Sequence, residues 1–240
     1  MQDFTVLIPS RMESKRLPGK PLKLIGDKTL IQRVSEQALK SKAKDVLVAT
    51  DSQEIISHCS NNNIKSVFTR SNHLTGSDRL AEAAEILNLE DDQIIINVQG
   101  DEPFIDPDDI NNLHNLIKQT SSNMATLYSK LAKKDIQNKN VVKLWVNADG
   151  SVSNFSRDID HTENGDYPKM HLGIYAYRVS FLKQFVKWPQ SLRELDRQLE
   201  QMRAMDNQEV IYARESTSDI HLGVDTQEEL EFAREMARSL

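Results

Sequence analysis

The run Ile8–Leu22, IPSRMESKRLPGKPL, constrains this chain most. It follows an apolar stretch, Phe4-Thr5-Val6-Leu7-Ile8, that reads as a buried first strand. It precedes a segment with Leu30, Ile31, Val34 and Ala38 at helical spacing, which predicts a first helix over 28–41. Strand, loop and helix in that order make a βα unit. Pro9, Pro18, Gly19 and Pro21 exclude regular structure from the loop and stiffen it. Arg11, Lys15, Arg16 and Lys20, with Lys23 just beyond, are opposed there only by Glu13, in a chain of net charge −6. Ligands of open α/β sheets sit at the carboxyl ends of the strands, and phosphates favour the following helix N-terminus, so this loop points to a polyanion. The other reading is a solvated basic turn. A Walker A motif would need Gly where Ser14 stands, and no G-x-G-x-x-G occurs. Arg and Lys side chains would therefore hold the phosphates.

The alternation continues. Asp45–Thr50 reads as a strand ending at Asp51, followed by a helix at 53–61 and a short strand at Ser66-Val67-Phe68. Ser77 is the expected N-cap of a helix that turns Leu80, Ala83, Ala84 and Leu87 inward. Ile94-Ile95-Ile96-Asn97-Val98 reads as the central strand, and Pro107 opens the next helix. This predicts an α/β fold, a doubly wound and mostly parallel sheet. Beyond Met124 strands dominate, at 124–129, 141–146, 152–155 and 171–177, with a hairpin signal at Asn147-Ala148-Asp149-Gly150. They either extend the sheet or form a small β-rich lobe over about 124–178 within a single domain of 240 residues. Helices follow at 179–187 and, as one longer piece, at 191–206. After a strand at 209–213, a final helix from Thr226 turns Leu230, Phe232, Ala233 and Met236 inward. The net charge of −6 argues against a general nucleic-acid binder. No apolar run reaches the ~20 residues of a membrane span, and the N-terminus does not read as a signal peptide, so the expected compartment is the cytoplasm. Cys59, at helical spacing from Ile55, reads as a core residue.

Three constellations can carry chemistry. Gln99-Gly100-Asp101-Glu102-Pro103 ends the central strand, where Gly100 permits close backbone approach and Asp101 can meet a metal–triphosphate. The alternative there is a turn cap. Asp225 precedes a capping-box pattern, Thr226 with Glu229, and is either a turn residue or a second carboxylate. His171, Tyr175 and Tyr177 alternate along one strand and share a face, as a sugar pocket or a half-buried sheet surface. Glu200 and Gln201 sit on the predicted helix 191–206, where Glu and Gln read first as solvated surface.

Together these segments resemble the CMP-Kdo synthetase (3-deoxy-manno-octulosonate cytidylyltransferase) family over nearly the whole chain. The likeness rests on IPSRMESKRLPGKPL, VATD at Val48–Asp51, TGSDRLAE at Thr75–Glu82 and NVQGDEP at Asn97–Pro103. It continues through MATL at Met124–Leu127, FSR at Phe155–Arg157, HLGIYAYR at His171–Arg178, LEQMRAM at Leu199–Met205 and GVDT at Gly223–Thr226. The resemblance implies a doubly wound nucleotidyltransferase, usually a homodimer. It would transfer CMP from CTP to the anomeric hydroxyl of a 3-deoxy-2-keto sugar acid, with Mg²⁺ and release of pyrophosphate. It implies that Arg11, Ser14, Arg16 and Lys20 hold the triphosphate, that Arg79 and Gln99 select the cytidine half, and that Asp101 and Asp225 bind Mg²⁺. Arg157, His171, Tyr175, Glu200 and Gln201 would contact the sugar acid. The chain departs from the family after FSR, where FSRDIDHTENGDYPKMH lacks the usual Ile-Pro and further Arg, and again in Leu192–Arg197. Both departures lie on the sugar side. They leave open a different nonulosonic acid, such as sialate, or an amino-octulosonic acid whose cationic group Asp158, Asp160 and Glu163 would suit; the first reading of those three acids is a solvated loop. A non-catalytic nucleotide-binding homologue is also left open.

Overall fold

The computed structural model describes residues 4–159 and 167–239. Its elements in chain order are β1 (Phe4–Ser10), β2 (Leu24–Ile25), β3 (Lys28–Thr29), α1 (Leu30–Leu39), β4 (Asp45–Thr50), α2 (Gln53–Asn61), β5 (Ser66–Phe68), α3 (Gly76–Ile86), β6 (Ile94–Asn97) and α4 (Pro107–Thr120). The second half adds β7 (Met124–Ser129), β8 (Lys143–Val146), β9 (Val152–Ser156), β10 (Lys169–Arg178), α5 (Val179–Phe185), α6 (Leu192–Arg197), α7 (Gln201–Asp206), β11 (Ile211–Glu215) and α8 (Gln227–Ser239).

The main sheet runs β11-β7-β10-β6-β1-β4-β5. β1 pairs in parallel with both β4 and β6, β4 with β5, and β11 with β7, whereas β10 runs antiparallel between β6 and β7. The strands are apolar on both faces because helices cover both. Phe4, Val6 and Ile8 pack with α1, α2, α4 and α8, and the alternate residue Leu7 packs with α3 and α5 on the other side. The chain leaves β1 for β4 and β5 on one side, then crosses back to β6 on the other. Strand order therefore reverses between β1 and β6, which opens a crevice at their carboxyl ends. The loops that leave there are Arg11–Gly19 and Gln99–Asp106.

The segment 124–178 divides. β7 and the second half of β10 belong to the main sheet, and the β8–β9 hairpin branches from the start of β10. The predicted single helix at 191–206 is two helices. Gln198 takes φ 53°, a left-handed conformation that stops α6. Arg203 on α7 then reaches back to Glu194 on α6 through Nε at 2.8 Å and a terminal nitrogen at 2.5 Å, with its guanidinium 4.7 Å over the Phe185 ring. α3 begins two residues earlier than expected. Thr75 caps it in a capping box with Asp78, and Ser77 lies inside the helix with its hydroxyl free for another partner. α1 starts at Leu30, capped by Thr29, because Lys28 and Thr29 are in strand β3. Phe232 of α8 is exposed, because Leu230 and Ala233 already fill the side facing the sheet. Cys59 is buried in the α2 core, and burial pushes its thiol up to about 11. No helix among the described residues is long and apolar enough to cross a membrane.

The Glu194–Arg203 pair is almost fully desolvated, with side chains 5% and 4% exposed. Arg203→Met leaves Glu194 as a buried, unpaired charge and should cost about 3–5 kcal/mol in urea unfolding. A loss no larger than that of an exposed pair, about 1 kcal/mol, would contradict this role.

Candidate active site

A cleft of about 880 Å³ occupies the crevice between β1 and β6. Its floor is the loop after β1. Leu17 buries itself and anchors that loop, Gly19 adopts φ 67°, and the Gly19 amide donates to Met12 O at 3.3 Å, so the loop folds back on itself. Arg11, Ser14, Lys15, Arg16 and Lys20 line the cleft with Arg79, Gln99, Asp101 and Asp225. Cations thus collect in one cavity of an acidic protein, which favours an anionic ligand.

At the cleft's end Lys20 Nζ donates to Asp101 Oδ2 at 2.8 Å and Asp225 Oδ1 at 2.9 Å. Burial works against the ammonium, but the two carboxylates outweigh it and its pKa is raised. Arg16 pairs with the other Asp225 oxygen at 2.7 Å. Backbone fixes the two acids as well. The Val224 amide donates to Asp101 O at 2.8 Å. The Asp225 and Thr226 amides both donate to Glu229 Oε2, at 2.8 and 2.9 Å, in the capping box of α8. Two carboxylates 124 positions apart therefore converge on one cation. Their neighbour Glu102 makes no such pair. Burial first, then the Asp101 and Asp109 charges, pushes its carboxyl up to about 8.

The remaining residues expected on the nucleotide side are braced. Arg79 is buried and donates to Thr69 Oγ1 at 2.6 Å and Asp51 Oδ2 at 2.8 Å, tying α3 to the ends of β4 and β5. Gln99 Nε2 donates to Gly173 O at 3.0 Å, across to β10. The Ser14 hydroxyl accepts from the Leu17 amide at 3.3 Å. His73, at the cleft wall, contacts Glu82, which Arg70 also engages.

Next to the cleft lies a second cluster. His171, Tyr175 and Tyr177 stack along β10 with centroids 5.3 and 5.7 Å apart, and Phe155 meets His171 edge-on. Desolvation pushes His171 down to about 3 and raises both tyrosines. The break between α6 and α7 brings Glu200 to this wall, where Oε2 accepts from Ser77 Oγ at 2.9 Å. The other oxygen, Oε1, is buried without a hydrogen-bond partner, 3.8 Å from the Arg203 guanidinium. Burial raises the Glu200 pKa. Gln201, at the start of α7, is buried. Arg157 donates to Lys139 O at 3.0 Å and Gln198 O at 3.4 Å, beside the same break, and its Nε is buried without a partner. Of the five residues expected on the sugar side, His171, Tyr175 and Glu200 thus meet at one wall, with Arg157 and Gln201 beside the α6–α7 break, and the wall is joined to the cleft through Gln99–Gly173 and Ser77–Glu200. Asp158 is paired with Lys139 at 2.9 Å, and Asp160 and Glu163 lie outside the described residues.

Several partners were not evident in the sequence. Asp51 as the brace for Arg79, Ser77 as the partner of Glu200 and Glu82 as the partner of His73 all lie inside the quoted segments VATD and TGSDRLAE. Nothing in their spacing showed which side chains meet.

This architecture defines a nucleotidyltransferase, with a doubly wound sheet whose switch-point crevice is lined by cations and closed by two acids. A family model described as cytidylyltransferase matches residues 5–235. The chain belongs to that cytidylyltransferase family. It is similar to the 3-deoxy-manno-octulosonate cytidylyltransferase of Pseudomonas fluorescens strain SBW25, with 43% identity over 97% of each chain. It is also similar to the enzyme of that name from Haemophilus influenzae strain 86-028NP, with 39% identity over 96% of this chain and 97% of the relative. Among solved structures it matches CMP:2-keto-3-deoxy-manno-octonic acid synthetase complexed with CTP, with 36% identity, a TM-score of 0.91 and 99% of both chains covered.

Gly100 is where the cleft backbone is tightest. A Cβ there would sit 2.8 Å from Pro9 O, a main-chain atom of β1. Gly100→Ala should cost about 1–3 kcal/mol by overpacking and should raise the KM for nucleotide. Unchanged thermal unfolding together with an unchanged KM would contradict this packing.

Proposed function

We propose that this protein transfers CMP from CTP to the anomeric hydroxyl of 3-deoxy-manno-octulosonate. The sugar oxygen bonds to the α-phosphorus as the bond to the β-phosphate bridge breaks, and pyrophosphate and one proton are released. The observation that carries the reading is the junction of Lys20, Asp101 and Asp225 at the end of the cationic cleft. The full-length likeness to the CTP-complexed synthetase supports the choice of nucleotide, and the curated relatives support the choice of sugar acid.

The chain's own residues have defined tasks in this reading. Arg11, Ser14, Arg16 and Lys20 take the triphosphate, Lys20 as a point charge and the arginines as forked donors. Arg79 holds the wall of the cytidine pocket through Asp51 and Thr69, and Gln99 faces that pocket from the loop after β6. Arg157 meets the acid's carboxylate, while His171, Tyr175, Glu200 and Gln201 meet its hydroxyls. Holding both substrates in line for displacement, and stabilising charge on the phosphate oxygens, carries most of the rate in reactions of this class.

Mg²⁺ fits the donor set. Asp101 and Asp225 offer oxygen alone, and Mg²⁺ takes few protein carboxylates and completes its shell with phosphates and water. When bound, the ion neutralises the triphosphate and polarises its oxygens. We extend the reading to a homodimer in the cytoplasm. Leu192 and Leu195, three apart on α6, stand exposed and would serve its interface. The Lys139–Asp158 pair weighs against the amino-substituted acid, because Asp158 already has a cation.

Pyrophosphate release with CTP and Mg²⁺ tests the reading on a panel of sugar acids. Release with 3-deoxy-manno-octulosonate, and little with N-acetylneuraminate, is the expected result. Release with N-acetylneuraminate alone, or with no acid, would overturn it.

A further inference from the structure

The segment Met124-Ala125-Thr126-Leu127 has so far no chemical role, yet Thr126 is fully buried and its hydroxyl is unusually committed. Its Oγ1 lies 2.8 Å from Ile174 O, 3.2 Å from Leu172 O and 3.1 Å from His171 Nε2. The backbone explains why. β10 and β7 pair Leu172 with Leu127 and then Tyr175 with Thr126, so Gly173 and Ile174 are extra residues with no partner on β7. A bulge of this kind interrupts the ladder and leaves backbone groups to be satisfied by other means. Thr126 supplies a hydroxyl there. The same bulge exposes Gly173 O, which accepts from Gln99.

A hydroxyl has one hydrogen and accepts through its lone pairs. Carbonyl oxygens only accept, so the single Thr126 hydrogen goes to Ile174 O, with Leu172 O beside it. Toward His171 the hydroxyl can then only accept. The ring must therefore carry its proton on Nε2, and in the neutral ring Nδ1 is left as an acceptor. An acceptor is what a sugar hydroxyl needs when it donates, and the burial between Phe155 and Tyr175 that keeps the ring neutral agrees with this.

We infer that Thr126 is a positioning residue for the sugar site: it closes the β10 bulge and locks His171 as the Nε2–H tautomer, so that Nδ1 accepts a hydrogen bond from the sugar acid. The inference rests on the reading of His171 as a sugar contact. That reading and the tautomer can be tested separately.

Imidazole nitrogen resonances of the ¹⁵N-histidine-labelled protein read the tautomer, with His171→Ala identifying the signal. The inference requires a single neutral Nε2–H form for His171 in the wild type. A dominant Nδ1–H form or an imidazolium near pH 7 overturns it, with no variant needed. Thr126→Val keeps the shape but loses the hydroxyl. It should mix the tautomers and raise the KM for the sugar acid about tenfold, the value of one hydrogen bond of this kind, with a smaller change for CTP. Thr126→Ser, which keeps the hydroxyl, should restore both readouts. An Nε2–H signal that survives Thr126→Val unchanged overturns the inference. A normal sugar KM in His171→Ala instead overturns the reading of His171 as a sugar contact.

Discussion

The structure depends on one ammonium held between two carboxylates. Lys20 comes from the loop after the first strand, Asp101 from the loop after the central strand and Asp225 from the entry to the last helix. Each would be ordinary alone. Asp101 and Asp225 brought together without a cation would repel. Lys20 removes that penalty, while the Val224–Asp101 backbone bond and the Glu229 capping box set the distance independently of charge. The result is a pair of acids held together at the end of a cationic cleft.

The sheet explains why these three loops can meet. Strand order reverses between β1 and β6, so helices leave on opposite faces and the carboxyl ends of the two strands are left uncovered. β10, antiparallel beside β6, then brings its aromatic face up to the same edge. The break in the chain at Gln198 completes the arrangement: a continuous helix would carry Glu200 along its own axis, whereas two short helices clamped by Glu194–Arg203 turn it toward Ser77 and the tyrosines. The cationic cleft and the aromatic wall are thus separate clusters tied by two hydrogen bonds, Gln99 to Gly173 and Ser77 to Glu200.

Much of this was legible in the sequence, for identifiable reasons. Runs uninterrupted by charge, such as Ile94–Val98, marked the strands, because strands covered on both faces leave little room for charged residues. Prolines and glycines in Ile8–Leu22 marked the loop, and its charge marked the ligand class. What local pattern could not supply was long-range contact. Asp101 and Asp225 carried no sign of each other, and the pairing of Ser77 with Glu200 spans 123 positions. The helix break at Gln198 was hidden because Gln is not a residue that demands φ > 0, and the stop is imposed by the Glu194–Arg203 clamp. Phe232 followed the helical period and is exposed all the same, since the period alone does not say how wide the buried stripe of α8 is. The role of Thr126 depends on a two-residue bulge in the opposite strand, which no alternation pattern encodes.

The most direct test of the account is a calorimetric titration of CTP into the wild-type protein and Asp225→Asn, with Mg²⁺ and with the metal chelated. The account predicts that Mg²⁺ tightens CTP binding to the wild type and that this gain largely disappears in Asp225→Asn. Equal CTP affinity with and without Mg²⁺ in the wild type, or a metal gain preserved in full by the variant, would contradict it.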